Sequence, residues 1–197
     1  NWVVKVAERI KPLMELLHQE IRSGPLINID ETPVQVLREP GRSNTSKSYM
    51  WVYRGGDPQK PVLIYQYQPS RSGQVPFAFL KGYQGFIQTD GYGGYDLLGR
   101  QVGIRMVGCW AHVRRKFLEV IKAKSNPKKK GHAEDALDYI GRLYAIEKQA
   151  TANELSSDQL YQLRQDAAKP ILSEFNGWLT QMSSLTPPKG LLGKAVN

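Results

Sequence analysis

The chain has 197 residues, of which 41% are apolar and 23% charged, and it carries a formal net charge of +9. That length supports one well-buried core, or one domain with a sizeable appendage, and no apolar run approaches the roughly 18 residues that a membrane span needs. A single cysteine, Cys109, excludes an intrachain disulfide and fits a reducing compartment. No signal-peptide pattern is visible, and the first residue is Asn1 rather than Met, which reads as a piece of a longer protein.

Apolar residues at helical spacing (Ile10, Leu13, Leu17, Ile21) predict one helix over residues 2–22, stopped by Ser23-Gly24-Pro25. Leu26 to Asp30 reads as a strand. Pro33 cannot donate to a β-ladder, so a bulge or bend is expected just past Asp30. Residues 38–48 are polar and form a loop. Residues 48–53 and 61–67 are rich in aromatic and β-branched side chains, with the turn Gly55-Gly56-Asp57-Pro58 between them. A three-stranded antiparallel meander is the expected result. Ser70-Arg-Ser-Gly73 precedes a short helix over residues 74–80.

Gly85 to Thr89 reads as a short buried strand that delivers Asp90 to the glycine-rich turn Gly91-Tyr-Gly-Gly-Tyr95. Residues 92–98 are a turn or short helix, and 102–108 a fifth strand. A helix follows from Cys109 or Trp110 to about Lys124, with Val113, Phe117, Val120 and Ile121 on its apolar side. After Ser125 only helical patterns continue, to Met182. Pro170 there begins a new helix or kinks the old one. Residues 184–190 form a loop and 191–197 begin a further element. Three strands, a helix, a strand, a short helix, a strand and a helix describe an α/β mixed sheet with helices on its faces.

The charge is concentrated. Between Arg100 and Lys130 there are ten Lys or Arg and one acid, Glu119, while the rest of the chain balances. Such a segment is either a solvated surface helix with a lysine-rich loop or the footprint of a polyanion. Arg114, Arg115, Lys116, Lys122, Lys124, Lys128, Lys129 and Lys130 are its candidate DNA contacts, of the kind that grip phosphates without reading sequence.

Asp30 and Asp90 each end a short apolar strand. If those strands are neighbours, both carboxylates reach one sheet edge. Side by side they repel unless a cation lies between them, and Mg2+ or Mn2+ suits hard oxygen donors. The competing reading makes both of them turn formers. Cys109 and His112, at C-x-x-H spacing, are half of a zinc site at most; His18 and His132 are isolated. Tyr92, Tyr95 and Trp110 either stack on an unpaired base or pack locally.

Asp30-Glu-Thr-Pro33, Thr89-Asp90-Gly-Tyr-Gly-Gly-Tyr95 and Gly108-Cys-Trp-Ala-His-Val-Arg-Arg-Lys-Phe117, in that order, resemble the central domain of the IS66 family of bacterial transposases. The specific motifs cover residues 24–124; the helical tail is similar but less specific. The resemblance implies a ribonuclease H-like fold with a DDE site, in which two Asp and one Glu hold two Mg2+ (or Mn2+) ions that drive DNA cleavage and strand transfer. Asp30 matches the first acid and Asp90 the second. Cys109 and His112 match a pair near the site, structural or substrate-positioning, with Tyr92 close by.

No Asn-Asn-x-x-Glu-like motif is present, so the third acid is expected beyond Asn197 and the chain alone is expected to be inactive or weakly active. The implied organisation is an N-terminal helix (1–23), a catalytic core (24–124) and a helical insertion (125–197). The implied partners are double-stranded DNA, both element ends and target, and a second copy of the chain on DNA; the implied location is the bacterial cytoplasm at the nucleoid. Another ribonuclease H-like nuclease or resolvase would share Asp30, Asp90 and the metals. A DNA-binding remnant that has lost its chemistry would not bind the metals.

Overall fold

The computed structural model describes residues 1–126 and 129–197. The chain divides into two compact units, Asn1–Cys109 and Trp110–Asn197.

In the first unit five strands form one mixed sheet: β1 (Leu26–Gln35), β2 (Lys47–Gly55), β3 (Val62–Gln68), β4 (Gly85–Thr89) and β5 (Ile104–Gly108). Their spatial order is β3-β2-β1-β4-β5. β1, β2 and β3 are antiparallel neighbours, whereas β4 is parallel to both β1 and β5. The predicted meander followed by strand–helix units is therefore present. One sheet face is the core side. Ile27, Ile29, Trp51, Tyr53, Ile64 and Ile87 point into it and are buried with Ile21, Phe79, Leu80, Tyr95 and Leu98 from the flanking helices and turns. The alternation of buried and open positions along β1 follows the two-residue period of a strand. Tyr53 stacks on Phe79 at 3.6 Å between ring centroids, with the planes 5° apart.

Two local expectations change. The N-terminal helix is two helices, α1 (Trp2–Arg9) and α2 (Lys11–Ser23), separated at Ile10. Pro12 has no N–H to give the Glu8 carbonyl, so the ladder is interrupted there and Pro12 instead sits at the start of α2, where that donor is not needed. Pro33 causes no bulge. β1 runs in unbroken register with β2 from Asn28 to Gln35. Its pairing with β4 ends at Asn28, so around Pro33 β1 is an edge, and an edge tolerates the missing N–H.

A short helix, α3 (Gln74–Phe79), follows β3; a 3-10 turn (Gly93–Tyr95) and α4 (Asp96–Gly99) follow β4. The second unit is all-helical: α5 (Trp110–Lys122), α6 (His132–Ala152), α7 (Ser157–Leu163), α8 (Lys169–Leu185) and α9 (Leu191–Val196). Its core gathers Phe117, Ala133, Ala136, Ile140 and Phe175. Phe175 is the hub, stacked on Tyr139 at 5.0 Å and tilted against Trp178 at 5.8 Å. A π-turn (Arg164–Ala168) joins α7 to α8. Pro170 lies at the start of α8. The wider turn before it accommodates a ring that would clash with the carbonyl four residues back in an uninterrupted helix.

Candidate active site

The site is built by the register of two parallel strands. Leu26 pairs with Phe86, Ile27 with Ile87 and Asn28 with Gln88, each partner 60 positions on. Asp30 and Asp90 keep the same offset. The pairing of β1 with β4 ends at Asn28 with Gln88. The strand expected to end at Asp30 in fact runs on: Asp30 lies mid-strand in β1, paired with Val52 of β2. Asp90 lies one residue past the end of β4. Continued by two residues, the register would set them opposite each other. Opposed residues on parallel neighbours share a face, and the preceding pair demonstrates it: Asn28 Nδ2 donates to Gln88 Oε1 at 2.7 Å. Arg54 and the Gly108 carbonyl extend that row, at 3.3 Å from Asn28 and Gln88 respectively. Asp30 is exposed on this face and Asp90 is half-buried.

Each carboxylate is oriented by backbone. Asp90 Oδ1 accepts from the Tyr92 N–H at 2.8 Å, which closes a turn over Gly91. That glycine has φ +82°, a conformation that L side chains rarely adopt. The turn-former reading of Asp90 is thus realised by one oxygen, and a carboxylate has acceptor sites beyond that bond. Asp30 Oδ1 accepts from the Glu31 N–H at 2.9 Å.

On the opposite face, directly behind these acids, lies an ion pair. Glu31 follows Ile27 and Ile29 in the core-facing row, and its side chain is 1% exposed. Its Oε1 accepts from Arg71 Nε at 2.6 Å, and its Oε2 accepts from the Tyr95 hydroxyl. The Arg71 guanidinium lies over the Tyr92 ring, 3.7 Å from its centroid. Burial opposes its charge, but Glu31 outweighs that, with Tyr92 and Asp90 adding, so the Arg71 pKa is raised. The Tyr95 hydroxyl is also pushed upward, first by burial, then by its bond to Glu31 and by the charges of Glu31, Asp90 and Asp30.

The loop bearing Arg71 is fixed on both sides. Trp51 Nε1 donates to the Ser70 carbonyl at 3.2 Å, and the Tyr92 hydroxyl to the Arg71 carbonyl at 3.4 Å. Gly73 meets the Asp90–Tyr95 turn so closely that a Cβ there would lie 1.9 Å from the Gly94 carbonyl oxygen. Beside the turn opens a cleft of about 390 Å³, lined by Thr89, Tyr92, Tyr95, Arg100 and Gly108 among others.

In the first unit Asp90 and Tyr92 are joined by the Tyr92 N–H bond, Asp30 lies on the neighbouring strand β1, and Tyr92 is half-buried under Arg71. Cys109 ends the same unit. It is half-buried, and its N–H donates to the Thr89 carbonyl at 3.0 Å, tying the end of β5 to that of β4. His112 is half-buried on α5 of the second unit. Arg114, Arg115, Lys116 and Lys122 are exposed on that helix, and Lys129 is exposed beyond it. Lys124 is held by Glu134 and by the Lys129 carbonyl, and Lys130 lies 3.4 Å from Asp135. Lys128 lies outside the described residues. Among the described residues no three His, Cys, Asp or Glu side chains are grouped to hold a metal ion. Asp30 and Asp90 alone offer a pair of hard oxygen donors of the type that Mg2+ or Mn2+ takes.

Sequence reasoning missed Glu31 and read Arg71, with Lys81, only as a basic residue that could reach DNA, with nothing to distinguish it. The signal was present in the period: Ile27, Ile29 and Glu31 share a face, so an acid there must find a buried donor.

The family described as "Transposase IS66 family" matches residues 1–197. The chain is 29% identical to the uncharacterized protein y4jD of Sinorhizobium fredii, over 99% of the chain and 39% of that protein. It is 25% identical to the uncharacterized protein y4qI of the same organism, over 94% and 36%, and 27% identical to y4hP, over 87% and 33%. The chain thus spans between a third and two-fifths of the length of these relatives. No solved structure matches it.

Proposed function

The chain belongs to the IS66 transposase family, and from that premise we propose that residues 1–197 carry two of the acids of a metal-dependent DNA cleavage and strand-transfer site. The observation that carries this reading is the parallel pairing of β1 and β4 at an offset of 60 residues up to Asn28 with Gln88, with Asp30 on β1 and Asp90 just past β4 at the same offset. The strand order β3-β2-β1-β4-β5, with only β2 antiparallel to β1, supports a ribonuclease H-like domain of the DDE type.

In this reading Asp30 and Asp90 hold the divalent cation. A divalent cation held there would supply activation of an attacking oxygen and stabilisation of the leaving one. The chain's own contribution is orientation. The Glu31 and Tyr92 N–H groups each fix one carboxylate oxygen, so the donors do not reorganise when a cation arrives. The exposed cations Arg114, Arg115, Lys116, Lys122 and Lys129 supply salt-dependent, sequence-independent attachment to duplex DNA. Lys124 is tied to Glu134 and contributes less.

No third acid accompanies Asp30 and Asp90 among the described residues. Glu31 cannot serve, because its carboxylate faces the core and is held by Arg71 and Tyr95. The isolated chain is accordingly a weak metal binder with little or no turnover. No helix among the described residues is long and apolar enough to cross a membrane.

The test is a thermal melt of the chain with Mn2+ from 0 to about 20 mM, beside Asp30→Asn, Asp90→Asn and the double variant. The reading predicts a Mn2+-dependent rise in melting temperature that each single variant diminishes and the double abolishes. An equal rise in the double variant would place the metal elsewhere and refute it.

A further inference from the structure

Arg71 is placed for a task that its bond to Glu31 does not exhaust. A guanidinium has five N–H donors in a planar fork. Among the described residues, its hydrogen bond runs from Nε to Glu31, behind the sheet edge. The side chain is nonetheless 39% exposed, against 1% for Glu31, so part of it is open to solvent. The guanidinium carbon lies 3.7 Å from the centroid of the Tyr92 ring, and the Tyr92 N–H bonds Asp90 Oδ1 at 2.8 Å, so one residue links Arg71 to that acid. The orientation of Arg71 is fixed on one face by the Tyr92 ring and at the backbone by Trp51 and Tyr92 through the Ser70 and Arg71 carbonyls. An arginine whose only role was to neutralise a buried glutamate would not need an aromatic platform and an open edge beside a second acid.

We propose that Arg71 is a phosphate-binding residue of the Asp30–Asp90 site. Its Nη edge takes a non-bridging oxygen of a DNA phosphodiester beside the two carboxylates, and Glu31, Tyr92 and Tyr95 act as positioning residues that hold the fork in place. This rests on the reading of Asp30 and Asp90 given above. The chemistry is direct: a phosphodiester approaching a cluster of acids is repelled, and a pre-oriented guanidinium offers both charge and paired donors where the repulsion is greatest.

The experiment measures binding of the 197-residue chain to a fluorescein-labelled 20-base-pair duplex by anisotropy, across about 50–200 mM salt, with Ca2+ or Mn2+ present. Arg71→Gln alone strands a buried carboxylate and can unfold the site, so the informative variant is the double Arg71→Gln/Glu31→Gln. It removes both charges and leaves amides able to hydrogen-bond. Loss of one phosphate contact lowers the slope of log K against log salt by about one unit and affinity by roughly tenfold. Glu31→Gln alone keeps the cation and therefore the slope. A double variant with the slope and affinity of the parent overturns the proposal. The Mn2+ melts of the Asp30 and Asp90 variants stand apart from this result: if they behave as predicted while the double variant binds DNA normally, the metal site stands and the role of Arg71 falls.

Discussion

Replacing Arg71 by alanine tests how the site is held. Glu31 is 1% exposed at its side chain, and Arg71 is the cation beside it, at 2.6 Å. Removing one partner of a buried pair typically costs about 3–5 kcal/mol, because a charge is left uncompensated. Two features place Arg71→Ala at the low end, about 3 kcal/mol by the same principle: the Tyr95 hydroxyl still donates to Glu31, and Arg71 itself is partly solvated. Glu31→Gln keeps its one carbonyl oxygen for the Arg71 Nε–H while its NH2 can donate to the Tyr95 hydroxyl oxygen, so the main loss is the charge assistance, about 1 kcal/mol.

Combining the two substitutions leaves no stranded charge. The double variant should be no less stable than Arg71→Ala alone, a coupling of at least about 1 kcal/mol in the double-mutant cycle. Hydrogen exchange of the β1 and β4 amides reads these differences within the first unit, without requiring the whole chain to unfold in one step. Strict additivity would refute the claim that Glu31 and Arg71 form one buried unit.

Other consequences follow from single contacts. Gly73→Ala forces a Cβ to within 1.9 Å of the Gly94 carbonyl oxygen, a backbone clash that overpacking series place at about 1–3 kcal/mol or more; it should also loosen the Asp90 turn, visible as faster exchange of the Tyr92 amide. Phe175→Ala removes the hub of the helical unit and should destabilise it by about 3–5 kcal/mol in urea titrations read by exchange in α6 and α8. Burial raises the pKa of both Tyr53 and Tyr95, and Glu31 raises each further. Groups with raised pKa stabilise the fold below their unfolded pKa and lose that contribution as pH rises. The first unit should therefore weaken above about pH 10, by up to about 1.4 kcal/mol per pH unit for each tyrosine, and Tyr95→Phe should flatten that slope.

The strands were legible because they depend on local pattern. Short apolar runs ending in Asp30 and Asp90 need only a two-residue period and a following turn to be recognised, and the glycine at position 91 marks the turn by its positive φ. The bend expected at Pro33 was wrong for a non-local reason: whether a proline is tolerated depends on whether β4 still runs alongside, and that pairing stops at Asn28. The break at Ile10 depends on Pro12 removing one donor, whereas continuous apolar spacing across it suggested a single helix. Arg71 was opaque because its partner lies 40 residues earlier on a neighbouring strand, and nothing around Ser70 marks it.

The central claim is that Asp30 and Asp90 are metal ligands in one site. Paramagnetic broadening tests it most directly: Mn2+ is titrated into isotope-labelled chain and the amide resonances are followed. The account predicts that signals of residues 29–31 and 89–92 broaden first and together, and that Asp30→Asn/Asp90→Asn removes the effect. Broadening that begins elsewhere, or that survives in the double variant, would contradict it.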